Sequence, residues 1–145
     1  MLKVLGFDLS VTSAIPTAVS EELKQLPKYE EIDADIINQV LEEGAKFTQD
    51  VLFPLNHSGD REGCKHDAAT HSVTTPKGFK EAFKGFVEAG WQGVQHPVEF
   101  GGQGLPKLVH TPCTEMVNAA NLSFALVALL TDGAIEALLT AGSDE

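Results

Sequence analysis

A glycine cluster in the segment VEFGGQGLP, residues 98–106, is the first feature of the sequence that could carry chemistry. Glycine-rich turns bind phosphates when they follow the order G-x-G-x-x-G between a strand and a helix, or when they end in Gly-Lys-Ser/Thr. Here Gly101, Gly102 and Gly104 are in neither order, and no strand is predicted before them. The pattern favours a tight connection, in which glycine adopts positive φ angles at little cost.

Four polar residues of one segment have side chains that bind metals: Cys64, His66, Asp67 and His71. A structural zinc site usually combines two well-spaced pairs of ligands. The later candidates His110 and Cys113 stand alone far along the chain. We therefore interpret the cluster as part of a solvated loop and predict no metal site.

Nucleophilic and acid–base chemistry are the remaining candidates. Cys113 could pair with His110 or His96, but nothing around it resembles a nucleophile elbow, so a small buried hydrophobe is favoured. Glu115 and Glu136 interrupt apolar helices, and burial would raise the pKa of either carboxyl. Such residues more often lie on a solvent-facing edge. We therefore predict no catalytic residue in this chain.

Four helices are predicted to position these residues: 33–53, 76–89, 113–130 and 133–142. In the first, Asp33 or Asp35 can accept hydrogen bonds from the free N–H groups of the opening turn, and Pro54 predicts a kink or stop. In the second, Thr75 is expected to cap the helix, with Pro76 at the first helical position.

The helix predicted at 113–130 is apolar on nearly all sides, so we expect it to be central. Thr131 and Asp132 are expected to cap the last helix. The segments 56–74 and 92–112 lack a period and are interpreted as loops, with a short hairpin around 67–73 as the one strand-like feature. The predicted fold class is all-α, an antiparallel helical bundle.

Composition limits the function classes further. The 145 residues fit one domain, and 10 basic against 21 acidic residues give a net charge of −11. This balance argues against nucleic acid and anionic membranes as partners. The apolar run 116–130 is shorter than the roughly 20 residues that span a membrane. Two cysteines and no convincing signal peptide favour a reducing, cytoplasmic location.

Taken in order, five segments resemble the N-terminal helical domain of the acyl-CoA dehydrogenases. They are INQVLEEGAKF (37–47), VLFPLNHSGDREGC (51–64), TPKGFKEAFKGFVEAGWQGV (75–94), HPVEFGGQGLP (96–106) and AIEALLTAGSDE (134–145). The most specific parts are the PLN-x-x-GD-x-EGC and P-x-E-F/Y-GGQGLP runs. The similarity is strongest to the long bacterial subfamily that includes 3-methylmercaptopropionyl-CoA dehydrogenases.

This resemblance implies an acyl-CoA dehydrogenase N-terminal domain at 22–145, truncated at its C-terminal end, after a poorly ordered extension at 1–21. It implies FAD-dependent oxidation of an acyl-CoA thioester by the complete enzyme, in which a carboxylate base removes the α-proton and flavin N5 accepts the β-hydride. In the family, the flavin domain and the catalytic Glu lie outside this domain. The glycine element would shape the entrance around the acyl chain.

For this chain alone, the resemblance implies neither a catalytic residue nor a bound cofactor, and we expect it to be inactive. The expected wall of the acyl pocket lies on one helix: Phe124, Val127, Ala128 and Thr131. An equally weighted alternative is that these four residues only pack helix against helix. A rival function is a non-catalytic interaction module that forms a homo-oligomer or docks a partner. A minor option is a split enzyme completed by another chain.

Overall fold

The computed structural model describes residues 21–143, so all but one residue of the predicted extension 1–21 lies outside the described part. Within that part the chain forms five α-helices and a β-hairpin: α1 (Ala34–Phe47), α2 (Phe53–Glu62), β1 (Lys65–Asp67), β2 (Ser72–Thr74), α3 (Phe79–Glu88), α4 (Lys107–Ala120) and α5 (Leu122–Ala141). Helices dominate and the hairpin is small. The predicted all-α class is confirmed.

The first helix begins as its sequence predicts. Of the two candidate caps, Asp33 is the one used, and its side chain accepts a hydrogen bond from the Ile36 amide at 2.9 Å. Ile37 and Gly44 lie on the buried face of α1. A Cβ on Gly44 would lie 3.3 Å from the Met116 side chain, so a small residue allows α1 and α4 to approach closely.

Of the kink or stop predicted at Pro54, the stop is wrong, because the chain stays helical to Glu62. A π-helical turn at Thr48–Leu52 precedes α2, and Pro54 then falls in the first turn of the new helix. A proline is tolerated in the first turn of a helix, because the N–H group that it lacks would have no acceptor within that helix. Gly63, with a φ of 63°, ends the helix instead.

The polar segment after α2 contains a short hairpin. β1 and β2 pair antiparallel, with Lys65 opposite Thr74 and Asp67 opposite Ser72. The Asp67 carboxylate accepts a hydrogen bond from the Ala69 amide at 2.8 Å, which shapes the turn. Every residue of both strands is exposed, so the hairpin is a surface feature within the predicted loop.

The third helix begins later than predicted. Thr75 does not cap it, because the N-cap position is occupied by Gly78 with a left-handed φ of 88°. The Lys77 amide instead donates to the Glu62 carboxylate at 3.0 Å, which joins this segment to the end of α2. The predicted end is confirmed, since Gly90 follows the helix with a φ of 75°.

The helix predicted at 113–130 is in fact the end of α4 and the start of α5. The break is at Asn121, which is 1% exposed and whose side chain accepts from the Phe124 amide at 3.1 Å. Its amide group also donates to the carbonyl of Leu52 at 3.2 Å, in the π-helical turn. An asparagine that caps one helix and donates a hydrogen bond to a carbonyl of another turn stabilises the packing of the two elements.

No helix starts at Thr131 and Asp132, so the predicted cap is wrong. α5 continues through both residues and through Gly133 to Ala141. The Thr131 hydroxyl donates back to the Val127 carbonyl at 3.3 Å, inside the same helix. The Asp132 carboxylate does not cap a helix; it is hydrogen-bonded by the side chains of Gln92 and His96.

The core is centred on the ring of Phe124, which is 3% exposed. Its centroid lies 5.5 Å from that of Phe86, 6.4 Å from that of Phe83 and 6.5 Å from that of Phe79. Of these three α3 rings only Phe86 is buried, whereas Phe79 is half-buried and Phe83 is 42% exposed, so helical spacing brings all three to Phe124 without burying them equally. A second buried cluster joins α1 to the start of α4: Ile37, Val94, Leu105 and Val109.

The helix predicted at 113–130 is central as expected up to Ala125, but the expectation is wrong from Leu126 onward. Phe124 and Ala125 are buried, but seven large apolar side chains of α5 are 43–76% exposed: Leu122, Leu126, Val127, Leu129, Leu130, Leu138 and Leu139. We call these seven the outer surface of α5; at 3.6 residues per turn they are distributed around much of the helix rather than along a single face. Among residues 21–143, α5 is also the one helix whose length and composition would allow it to cross a membrane.

Candidate functional site

The glycine-rich segment is a turn that folds back on the residues before it. The amide of Gln103 donates to the carbonyl of Gly93 at 2.8 Å, and that of Gly104 donates to the carbonyl of His96 at 2.9 Å. The amide of Leu105 donates to Val94 at 2.9 Å. Because these N–H groups are already paired within the chain, they do not form a free cradle for a phosphate.

Positive φ angles explain two of the glycines, with 83° at Gly101 and 66° at Gly104. Gly102 is needed for a different reason. A Cβ at Gly102 would lie 2.1 Å from the carbonyl oxygen of His96, which is far inside contact distance. The prediction of a tight connection is therefore confirmed.

A polar cluster lies beside this turn, and we call it the Asp132 cluster: Gln92, His96, His110 and Asp132. The Asp132 carboxylate oxygen Oδ1 is 2.8 Å from both Gln92 Nε2 and His96 Nε2. Its other oxygen, Oδ2, is 3.5 Å from His110 Nε2. Since a carboxylate only accepts, both Gln92 and His96 donate to it. Three segments of the fold therefore meet at a single carboxylate.

The cluster is shielded from solvent. The side chains of His96, His110 and Asp132 are 7%, 14% and 17% exposed. The Nδ1 atoms of His96 and His110 are buried without a hydrogen-bond partner. Outside the cluster, Lys107 pairs with Glu136 at 3.4 Å one turn further along α5, so the second carboxylate of the helix is matched as well.

Burial lowers the pKa of His110 below its ordinary value of 6.5, and this effect outweighs the nearby Asp132 carboxylate, which acts to raise it. The folded chain therefore favours neutral His110, whereas the unfolded chain takes up a proton as the pH falls past 6.5. The stability from this group is complete above about pH 6.5 and is lost as the pH falls from there towards the lowered folded pKa.

We therefore expect the free energy of unfolding to fall as the pH falls below about 6.5, and His110→Gln to flatten that decline. One group contributes at most about 1.4 kcal/mol per pH unit. Urea unfolding at a series of pH values measures the slope. The matched control is His57→Gln, since His57 is exposed. An unchanged slope in His110→Gln would contradict the assignment.

Cys113 is a core residue and has the wrong properties for a nucleophile. Its thiol is 3.4 Å from the Val109 carbonyl, and burial raises its pKa to about 11. The thiolate that attacks a substrate is therefore disfavoured. With Phe86, Val117 and Ala128 it lines a small cavity of about 40 Å³ between α3, α4 and α5. The prediction of a buried hydrophobe is confirmed.

The two free cysteines should differ strongly in reactivity. Cys64 is exposed and Cys113 is buried. We expect one thiol per native chain to react quickly with a disulfide reagent at pH 8, and the second only on unfolding, at least about 100-fold more slowly. The measurement is the rate at which the reagent releases its thiol on reaction with the protein, with and without denaturant. Cys64→Ser is the control. Two equally fast thiols would contradict the burial of Cys113.

The four residues predicted to contact substrate do not share one environment. Phe124 lies in the core, and Ala128 lines the small cavity. Val127 and Thr131 are exposed. The spacing of three and four residues does place all four on one face of α5, but that face is covered unevenly, so only part of it is buried.

The other sequence candidates do not assemble into a centre. Glu115 is exposed, and Glu136 is partly exposed and paired with Lys107, so their interpretation as solvent-facing residues is confirmed. Within residues 21–143, no group of three or more His, Cys, Asp or Glu side chains is placed to hold a metal ion. Around Cys64 the chain forms the exposed hairpin instead.

Sequence reasoning missed the Asp132 cluster. In the sequence, His96 and His110 are candidate partners of Cys113, His110 is also an isolated metal-ligand candidate, and Asp132 is a candidate helix cap. One signal was present, namely a lone aspartate in the middle of a long apolar helix. Such a residue is costly unless it finds a partner, but its partners are 22 to 40 residues away, where spacing gives no information.

Comparison with known proteins assigns the family. Residues 37–145 match the model of the acyl-CoA dehydrogenase N-terminal domain. The chain is 44% identical to 3-methylmercaptopropionyl-CoA dehydrogenase of Ruegeria pomeroyi over 123 residues, which are 85% of this chain and 21% of that protein.

Two further relatives are similar. Butyryl-CoA dehydrogenase of Syntrophomonas wolfei is 33% identical over 77% of this chain and 18% of its own length. The broad-specificity linear acyl-CoA dehydrogenase FadE5 of Mycobacterium tuberculosis is 30% identical over 65% of this chain and 15% of its own length. The chain thus spans about a fifth or less of the curated relatives it matches. It belongs to the acyl-CoA dehydrogenase family and corresponds to the N-terminal domain.

Proposed function

We propose that this domain forms a helical wall of the acyl-CoA site in an FAD-dependent acyl-CoA dehydrogenase and is inactive by itself. The observation that carries the proposal is the outer surface of α5. Its seven exposed apolar side chains exceed the scattered hydrophobic residues of an ordinary protein surface. An acyl chain, together with the protein that encloses it, would cover such a surface.

The charged groups of α5 favour a protein interface over a lipid environment. Asp132 lies near the middle of the helix and is hydrogen-bonded by Gln92 and His96. Glu136 is paired with Lys107 of α4. Ionisable groups at the centre of a membrane-spanning helix are costly. The length of α5 alone therefore does not make it a membrane segment in this proposal.

The glycine turn does not fit the diphosphate of FAD, because its amides are paired with main-chain carbonyls of residues 93–98. We therefore assign the flavin and the catalytic base to other domains of the complete enzyme. For the acyl pocket, the proposal retains the exposed pair Val127 and Thr131 and the cavity residue Ala128, and gives Phe124 a packing role.

Two measurements test this proposal. The isolated chain is incubated with FAD and desalted, and its absorption spectrum is recorded. We expect protein absorbance only, because the glycine amides are already paired. Retained flavin bands would overturn the assignment of the cofactor to other domains.

The second measurement uses a chimera. Residues 22–143 replace the matching segment of the Ruegeria pomeroyi enzyme, and acyl-CoA-dependent dye reduction is measured. We expect activity, and a loss of at least about tenfold in Leu126→Asp, because Leu126 is 51% exposed on α5. The control is Glu115→Gln on exposed α4 surface. Full activity in Leu126→Asp would show that this surface is not part of the site.

The same outer surface supports a second candidate, an interaction module in which two copies pair through α5. Of its two carboxylates, Glu136 is paired with Lys107, and Asp132 is 17% exposed and hydrogen-bonded within the domain, so neither presents an unpaired charge among the exposed apolar side chains. Light scattering distinguishes the candidates. A dimer that is lost in Leu130→Asp would favour the interaction module. If the parent chain is a monomer, the acyl-site proposal is the one that remains.

We also propose a reducing, cytoplasmic location. Cys64 and Cys113 are both free, one exposed and the other in the core. An exposed free thiol is stable where the cell keeps thiols reduced. Fluorescence from a tagged copy of the chain in its host, compared with a periplasmic or secreted marker, tests this assignment.

A further inference from the structure

We propose that His96 is a positioning residue that couples the glycine turn to α5, through its main chain on one side and its imidazole on the other. The coupling rests on contacts within this chain. For the acyl site, the consequence is that the turn and the helical wall are held at a fixed separation. This consequence rests on the function proposed above.

The main-chain half of the coupling lies beneath the glycines. The carbonyl of His96 accepts a hydrogen bond from the Gly104 amide at 2.9 Å. The same carbonyl faces Gly102 so closely that a Cβ there would lie 2.1 Å from its oxygen. The turn therefore cannot shift towards residue 96 and keeps its hydrogen bond only if that residue stays in place.

The side-chain half reaches across to α5. His96 Nε2 donates to Asp132 Oδ1 at 2.8 Å, and His96 as a whole is 6% exposed. A hydrogen bond to a carboxylate that is shielded from water is among the stronger polar contacts in a protein. Gln92 adds a second donor to the same oxygen and a 3.3 Å contact to the Ala128 carbonyl, so the residues around His96 are also fastened to α5.

Few other polar contacts perform this role. Among the described residues, the glycine turn is otherwise held by its own backbone bonds and by Gln103, whose side chain donates to the Gly90 carbonyl. Those bonds join the turn to residues 90–97, but not to α5. Within residues 21–143, the polar bonds from residues 90–97 to α5 come from Gln92 and His96, and only His96 also bonds the turn directly.

The experiment is amide hydrogen exchange of the full chain, read at Gly102 and Gly104 by NMR. In Asp132→Leu we expect both amides to exchange at least about tenfold faster relative to amides of α2, although Asp132 contacts neither glycine. His96→Leu should act in the same way. His96→Gln places an Nε2 donor near the position of the imidazole Nε2, and we expect it to restore most of the protection.

The matched control is Glu136→Gln, which changes the other carboxylate of α5 and should leave both glycine amides unchanged. In the double variant His96→Leu/Asp132→Leu, the two glycine amides should exchange no faster than in either single variant, because each substitution breaks the same coupling. Faster exchange confined to α5, or equal acceleration of α2 amides, would overturn the proposal. The measurement needs no substrate, so its failure is distinct from failure of the acyl-site function.

Discussion

Gly102→Ala is expected to lower the free energy of unfolding by at least about 3 kcal/mol. The new Cβ would lie 2.1 Å from the carbonyl oxygen of His96 and 2.4 Å from its carbonyl carbon. Both are backbone atoms, so no side-chain rotation relieves the clash. The turn would have to open, and its bonds from Gln103 and Gly104 would be lost. Urea unfolding followed by circular dichroism measures the change.

The control for this prediction is Gly133→Ala. Gly133 lies inside α5, and a Cβ there meets no atom within 4 Å. Alanine is favoured over glycine in a helix by about 1 kcal/mol, so this variant should be slightly more stable than the parent. If Gly102→Ala were as stable as Gly133→Ala, the close approach of the turn to His96 would be refuted.

Phe124→Ala is expected to cost about 3–5 kcal/mol, the usual range for truncating a phenylalanine in a core. Its ring is 3% exposed and packs edge-on against Phe86 at 5.5 Å. Truncation leaves a cavity between α3 and α5 that the neighbouring rings fill only in part. The same urea measurement gives the change, and the native circular dichroism spectrum shows whether the variant still folds.

Val127→Ala is the matched variant on the same helix. Val127 is 54% exposed, so its truncation should change stability by no more than about 0.5 kcal/mol. The pair separates the two roles considered for these residues, because a residue that only meets substrate contributes little to folding of the isolated chain. Similar losses in both variants would show that Val127 is covered within this domain.

Much of the fold could be predicted from local signals. The cap at Asp33 and the end of the helix predicted at 76–89 depend on neighbours within a few residues, where backbone geometry fixes the outcome. One wrong boundary has a local cause and another a long-range cause. α2 continues past Pro54 because a π-helical turn precedes it, and the break at Asn121 is stabilised by a bond to Leu52, 69 residues away.

The sequence by itself determined the family, the helical class and the interpretation of VEFGGQGLP as a turn, because motif runs and glycine chemistry are local. Only the tertiary structure decided which side of α5 is buried, since an apolar helix has no periodicity to orient it. It also decided that Asp132 joins Gln92, His96 and His110. A carboxylate in an apolar helix requires partners, but packing of distant segments determines which residues provide them.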